Sequence, residues 1–327
     1  MAERIRAWLI ANPQAGRKAG VTTTAAGPDE ARAALERHGV VVVEARTTEG
    51  EGDATALARQ AAAAGAELVV AAGGDGTVHE AAAGLVSTAT TLGVLPLGSM
   101  MNIARALNIP RDLDGAAAVI RDGQRVRMDV GKAVTPAAER YFLEVAGVGI
   151  DAGVFVYADQ LDDGDWGSLL KMLRFVARYR PRPVRLTVDG QAEVVPACLM
   201  ISVAIGPFAG AGVALAPDAK VDDRQFDVVV RERFSRLELA RHLAASSWGR
   251  RAYHPKARTL RGSHVAVEAV GRRLMVHADG SLVGPTPARF ELLPAALSVL
   301  VGQPPATEPS AVSAVGSAAA APTGARA

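Results

Sequence analysis

Glu67-Leu-Val-Val-Ala-Ala-Gly-Gly-Asp-Gly-Thr-Val-His-Glu-Ala-Ala-Ala-Gly-Leu-Val86 decides the fold. Its opening run, Glu67–Ala72, is apolar and β-prone, as a parallel strand buried on both faces must be. From Thr77 to Val86 the pattern suits a helix, so Gly73-Gly74-Asp75-Gly76-Thr77 marks a strand-to-helix corner. Such a corner aims unpaired backbone N–H groups at whatever sits above it, and its glycines let a phosphate approach the backbone closely. Asp75 would repel that phosphate unless a cation intervened. A divalent metal bridging Asp75 and phosphate oxygens resolves the conflict, so the corner reads as kinase chemistry more readily than as a tight turn with a capping aspartate.

Outward from this corner, short apolar runs alternate with Ala-rich helical stretches. Strands are expected at Ile5–Ile10, Val40–Ala45, Glu67–Ala72 and Thr91–Leu95, and helices near Asp29–His38, Asp53–Ala64, Thr77–Val86 and Leu113–Arg121. The alternation argues for βαβ units and a parallel sheet, an α/β domain over residues 1–123. Ligands of such sheets collect at the carboxyl ends of the strands. The loops there are Asn12-Pro13-Gln14-Ala15-Gly16, Thr47-Thr48, the glycine corner and Pro96-Leu-Gly-Ser99.

From Gln124 the β-like runs lengthen and no regular helix separates consecutive strands. Val126–Val134, Arg140–Val148, Val184–Val188, Glu193–Ala204, Phe226–Arg231, Val265–Glu268 and Leu274–Ala278 are the expected strands of an antiparallel β-sandwich C-terminal domain over residues 124–285. Two helical insertions are expected, Trp166–Tyr179 and Ser235–Ala244. Pattern alone assigns Ala288–Leu293 and Leu297–Val301 to neither domain. Residues 302–327, rich in Ala, Pro, Ser and Thr, read as a disordered tail.

The chain of 327 residues is long enough for two cores, and 49% hydrophobic with 21% charged residues is a soluble globular composition. A net charge of +2 gives no sign of a nucleic-acid binder. Glu3, Arg4 and Arg6 interrupt any leader-like run, and no apolar stretch is long enough to span a bilayer, so a cytoplasmic location is expected. The single cysteine, Cys198, excludes an internal disulfide and reads as a small core residue of a strand. His79-Glu80 lacks the second histidine of a zinc-protease helix, no Gly-x-x-x-x-Gly-Lys-Ser/Thr loop exists, and Gly147–Gly153 echoes a dinucleotide fingerprint with the wrong spacing.

Together, Asn12-Pro-Gln-Ala-Gly16, Gly73–Thr77 with Glu80, Pro96-Leu-Gly-Ser99 and Asp279-Gly280 resemble the diacylglycerol kinase catalytic-domain family, which includes soluble bacterial lipid kinases and the sphingosine and ceramide kinases. Gly147-Val-Gly-Ile-Asp-Ala152, Ala216-Pro217 and Asp222-Asp223 are similar to landmarks of its β-domain. The resemblance implies a two-domain fold like that of NAD kinases and diacylglycerol kinases, with ATP and Mg²⁺ in the interdomain cleft and a C-terminal strand, near 286–301, returning to the first domain. It implies a nucleotide set of Asn12, Pro13, Gln14, Ala15, Gly16, Thr47, Gly73, Gly74, Asp75, Gly76, Thr77, Glu80 and Ser99. It further implies Asp75 as organiser of catalytic Mg²⁺, Asp279 as the base for a lipid hydroxyl, and Asp223 at a second, structural metal site.

Three positions differ from the family's pattern. Gly98-Ser-Met-Met-Asn102 stands where Gly-Thr-x-Asn-Asp is usual, Asp279-Gly-Ser281 where Asp-Gly-Glu is usual, and Asp222-Asp-Arg224 where Asp-Asp-Gly is usual. They keep open a catalytically weak lipid- or nucleotide-binding regulator beside the lipid kinase, with an NAD kinase-like enzyme as the other alternative. The basic stretches 166–185 and 250–261 offer surfaces for transient contact with a membrane carrying the lipid substrate. A homodimer is compatible with the sequence.

Overall fold

The computed structural model describes residues 5–18, 21–22, 27–162, 165, 167–210, 212–235, 237–238, 241 and 256–304. Most of the helix expected over Ser235–Ala244, the greater part of the tail and residues 250–255 of the second basic stretch lie outside the described residues.

The first part runs β1 (Arg6–Ala11), a short hairpin of β2 (Arg17–Lys18) and β3 (Val21–Thr22), α1 (Pro28–Arg37), β4 (Val41–Thr47), α2 (Asp53–Ala63), β5 (Leu68–Gly73), α3 (Asp75–Leu85), β6 (Thr91–Pro96), α4 (Asn102–Ala106) and α5 (Leu113–Asp122). Strands β4, β1, β5 and β6 pair in that order, all parallel. Every residue of β5 and β6 is buried, which is why both read as unbroken apolar runs. Ala31, Ala34, Ala54, Ala58, Ala61, Ala81 and Ala82 are buried, so small side chains pack these helices against their neighbours.

The second part runs β7 (Gln124–Val134), β8 (Glu139–Phe142), β9 (Val145–Gly149), α6 (Ile150–Asp162), α7 (Gly167–Arg178), β10 (Arg182–Val188), β11 (Gln191–Ala204), β12 (Phe208–Ala209), β13 (Val213–Ala214), β14 (Phe226–Glu232), β15 (Ala257–Gly262), β16 (His264–Ala269), β17 (Met275–Ala278), β18 (Ser281–Pro285) and β19 (Ala288–Val301). Its pairings are antiparallel except where β19 meets β6. The two unassigned C-terminal runs are one strand: β19 pairs with β7 from Arg289↔Val134 to Val301↔Gln124 and, parallel, with β6 at Ser298↔Thr91. One mixed sheet therefore crosses the whole molecule, in the order β18-β17-β9-β11-β10-β16-β19-β6-β5-β1-β4.

Three local differences from the expected elements have physical causes. The run Arg140–Val148 breaks between β8 and β9 because the amides of Leu143, Glu144 and Val145 turn away from the ladder to the carboxylate of Asp279. Helix α6 follows β9 at once, with Gly153 admitting the Phe175 ring of α7 where a Cβ would stand 2.2 Å from that ring. Residues 257–261 of the second basic stretch belong to β15, which ends at Gly262 and whose Arg258 and Arg261 pair with Glu193 and Asp223.

Candidate active site

The glycine corner lies where β5 hands over to α3. Gly74 is the N-cap and Asp75 the first helical residue, one residue pair earlier than the expected start at Thr77. A Cβ on Gly73 would stand 2.5 Å from the Thr77 side chain, and one on Gly98 would stand 2.7 Å from Gly74 Cα. The two loops therefore touch backbone to backbone, which only glycine allows.

Asn12 ties the first loop to this corner. Its Nδ2 donates to Thr77 Oγ1 at 3.1 Å, its Oδ1 accepts from Gln14 N at 2.8 Å, and its own N–H donates to Ala72 O at 2.9 Å. Pro13, Ala15 and Gly16 continue that loop, and Thr47 ends β4 beside Ala11. Ser99 lies in the β6–α4 loop, where the Arg111 guanidinium holds its carbonyl. Asn12–Gly16, Thr47, Gly73–Thr77 and Ser99 thus share one edge of the sheet. Glu80 turns elsewhere: its carboxylate accepts from Ala54 N at 3.3 Å and its carbonyl from Thr55 Oγ1 at 2.8 Å, so it caps the start of α2.

Opposite the corner stands a buried polar cluster drawn from both parts of the chain. Asp279, at φ +47°, accepts from Leu143 N at 2.6 Å, Glu144 N at 3.0 Å and Val145 N at 2.9 Å, and pairs with His79 Nε2 at 2.9 Å. Glu144 Oε1 lies 3.6 Å from the same nitrogen, while its Oε2 accepts from Asn102 at 3.0 Å. Asn102 also donates to Gly210 O at 2.9 Å, and Arg105 places its guanidinium 3.8 Å from the centre of the Phe208 ring, so α4 closes against the β12 loop. Met101 is buried at φ +53°, leaving Asn102 as the amide that faces the cleft.

The charges in this cluster shift one another. Burial works against an imidazolium at His79, but the carboxylates of Asp279, Glu144 and Asp75 outweigh it and push His79 up to about 9. Burial alone would raise Asp279, yet the His79 charge and the backbone N–H groups hold it below the usual carboxylate range. Glu144 goes the other way: burial lifts it well above that range, with the negative charges of Asp279 and Asp75 adding to the effect against the pull of His79. His79 and Glu144 had no functional place in the sequence reading; the only signal was a histidine one turn into the helix that follows the glycine corner. His277, on β17 two residues before Asp279, is buried and bonds Asp151 Oδ2 at 3.2 Å.

Mg²⁺ at Asp75 fits the residues present. Only Asp75 Oδ1 is engaged, accepting from Ile103 N at 3.2 Å, and the buried Glu144 Oε1 has no hydrogen-bond partner. Among the described residues no group of three or more His, Cys, Asp or Glu side chains is placed to hold a metal.

A metal at Asp223 does not fit. The Arg261 guanidinium holds Asp223 Oδ2 and lies 3.6 Å from Asp227, while Asp223 Oδ1 accepts from Gln225 N at 3.2 Å. Beside it Arg224, at φ +66°, places its guanidinium on the buried Asp129 and donates its backbone N–H to the same carboxylate at 2.8 Å. Two guanidinium groups supply the positive charge that a cation would bring. We expect a chelator to leave the melting temperature of the protein unchanged, whereas Arg224→Ala should cost about 1–3 kcal/mol and make melting respond to added divalent cation. A chelator that destabilises the unsubstituted protein would overturn this arginine clasp.

The strand-glycine-helix corner thus faces a buried carboxylate–imidazole cluster to which both parts of the chain contribute. The diacylglycerol kinase catalytic domain matches residues 6–133, and the YegS C-terminal NAD kinase beta sandwich-like domain matches residues 144–301. A diacylglycerol kinase of Mycobacterium tuberculosis is 31% identical over 295 residues, covering 89% of this chain and 93% of the relative. One from Staphylococcus haemolyticus is 30% identical, covering 86% and 84%. The solved structure of a diacylglycerol kinase from Bacillus anthracis superposes with a TM-score of 0.68 at 21% identity, covering 92% of this chain and 98% of that one. The chain belongs to the diacylglycerol kinase family; it is a lipid kinase, and that family uses ATP. No helix of the described residues is long and apolar enough to cross a membrane.

Proposed function

We propose that the protein transfers the γ-phosphoryl group of Mg²⁺–ATP to a hydroxyl of a diacylglycerol-like or sphingoid lipid. The observation that carries this reading is the meeting of Asp75, His79, Glu144 and Asp279 at one cleft, with the Asn12–Thr77 bond fixing the nucleotide loop beside them. Asp75 would organise Mg²⁺, which when bound neutralises charge developing on the transferred group. The amides of the Asn12 loop and the glycine corner would cradle the phosphates, with Thr47 and Ser99 at the rim.

Asp279 is the base in this reading, taking the proton as the hydroxyl oxygen attacks, while the His79 imidazolium holds the carboxylate in place and tempers the negative charge around it. A specific observation favours a second version. Both Asp279 oxygens already accept hydrogen bonds, whereas Glu144 Oε1 accepts none, its nearest cation being His79 Nε2 at 3.6 Å, and belongs to the carboxyl with the raised affinity for protons. In that version Glu144 receives the proton and Asp279 positions His79.

Labelled γ-phosphate offered with a mixed lipid extract tests the function. Labelled lipid is expected. Labelled NAD would move the protein to the NAD kinases, and retained ATP binding without product would make it a regulator.

A further inference from the structure

Asn102, in the first turn of α4, is held by the nitrogen end of its side chain alone. Its Nδ2 gives one hydrogen to Glu144 Oε2 at 3.0 Å and the other to Gly210 O at 2.9 Å. Those two acceptors decide which way the amide lies, because the reverse would set its oxygen against a carboxylate and a carbonyl. Oδ1 is left over: the residue is 3% exposed, and among the described residues nothing donates to that oxygen. An amide oxygen can only accept, so no change of protonation relieves it, and a buried acceptor without a donor is costly. Aspartate, usual at this position, would bring a second oxygen and a charge where asparagine offers one neutral acceptor.

Space lies in front of that oxygen. A Cβ on Gly212, at φ +78° between β12 and β13, would find Oδ1 at 3.9 Å and, among the described residues, nothing else within 4 Å but its own chain neighbours. Phe155 of α6 walls the gap: a Cβ on Gly210 would stand 3.2 Å from its ring, and one on Gly280 would stand 3.4 Å from it. Gly280 follows Asp279 directly, so the half-buried ring reaches from the β12–β13 hairpin to the turn that carries this carboxylate. Glu144, bonded to the same amide, has its Oε1 likewise buried without a hydrogen-bond partner. One neutral acceptor and one aromatic wall therefore stand beside the carboxylates of the catalytic cluster.

We propose that Asn102 Oδ1 selects the acceptor lipid by taking a hydrogen bond from a hydroxyl or ammonium on the carbon next to the reacting hydroxyl. The preferred substrate is then a single-chain 1,2-diol or 2-amino alcohol rather than a 1,2-diacylglycerol. In 1,2-diacylglycerol the oxygen on that carbon is an ester, which has no hydrogen to give and brings a second chain against Phe155. A substrate without the donor leaves Oδ1 buried and unpaired, and a site built around such a bond discriminates strongly against it. The inference rests on the transfer proposed above for the reacting hydroxyl, but not on which carboxylate takes the proton, since the amide oxygen accepts in either version. A cavity of about 10 Å³ beside Asn102 and Glu144 has room for one water at most. A water there that served Oδ1 would erase the discrimination, which makes the preference measurable.

The test offers the full chain four acceptors in detergent micelles at equal mole fraction with saturating Mg²⁺–ATP: 1-oleoylglycerol, its 2-O-methyl ether, sphinganine and 1,2-dioleoylglycerol. We expect kcat/KM for 1-oleoylglycerol or sphinganine to exceed that for the ether and for dioleoylglycerol by about ten- to a hundredfold. The ether keeps a single chain and lacks only the donor, so it separates the lost hydrogen bond from the bulk of a second chain. Of the two donor-bearing lipids, the faster one tells hydroxyl from ammonium. Asn102→Ala should bring the preferred acceptor and the ether to about the same kcat/KM, whereas a merely structural Asn102 would slow every acceptor alike and leave the ratio unchanged. Equal rates for 1-oleoylglycerol and its ether, with sphinganine no faster, would overturn the proposal in the unsubstituted protein, without appeal to a variant that might misfold. Faster labelling of dioleoylglycerol than of either donor-bearing lipid would overturn it too, and would leave the lipid-kinase reading standing. Retained ATP binding with no labelled lipid of any kind would instead remove the transfer reading, and this inference with it.

Discussion

Asp279→Asn is expected to lower phosphoryl transfer about a thousandfold or more while leaving ATP affinity nearly unchanged. Asparagine tolerates the φ of +47° that this position requires, so the turn into β18 survives. What it loses is charge and one acceptor. Leu143 N donates to Oδ2 and His79 Nε2 lies 2.9 Å from the same oxygen, and an amide can present an oxygen to only one side of the cluster. A second readout separates chemistry from folding. The folded pKa of His79, about 9, lies above its ordinary 6.5, so the pairing stabilises fully below about pH 6.5 and is lost as pH rises through 9. Unsubstituted protein should therefore lose stability across that window, on the order of 3 kcal/mol, read as a falling melting temperature, and the variant should show a flatter profile. Survival of transfer in Asp279→Asn with collapse in Glu144→Gln would assign the proton to Glu144.

Much of this was legible in the sequence, and for identifiable reasons. β5 and β6 are buried on both faces, so their apolar runs could hardly be misread, and the glycine corner is specified by contacts that only small residues permit. The antiparallel strands followed from their alternation and punctuation. What could not be read were meetings between distant residues. His79 sits on the helix that the glycine corner opens, but its role depends on Asp279, two hundred positions away, and on the break in the β8–β9 run that brings Glu144 beside it. Helix α6 was hidden because its glycine-rich start looks like a strand end; Gly153 is there for the Phe175 ring. Asp223 was legible as an acidic site but its occupant was not, since Arg261 comes from β15 in another part of the chain.

Asp75 offers the sharpest division between a structural and a catalytic carboxylate, because two substitutions part its roles. Oδ1 accepts the N–H of Ile103 in the first turn of α4, the helix that carries Asn102 and Arg105 to the cleft. Asp75→Asn keeps an acceptor for that N–H and removes only the charge; Asp75→Ala removes both. Loss of the metal-binding charge is worth several kcal/mol of transition-state stabilisation, so both variants should lose about a hundred- to a thousandfold in kcat/KM and should no longer bind ATP more tightly when Mg²⁺ is added. Only the alanine variant should also lose about 1 kcal/mol of stability through the freed Ile103 amide. The buried carboxyl of Glu144 gives an internal check. Asp75 is one of the negative charges that raise its proton affinity, so either substitution should let Glu144 ionise at lower pH, by the same direction in both. Titration of ATP with and without Mg²⁺, set beside melting curves of the two variants, reads all three effects. Mg²⁺-dependent ATP binding that persists in Asp75→Asn would remove the metal from this corner and leave Asp75 as an anchor for α4.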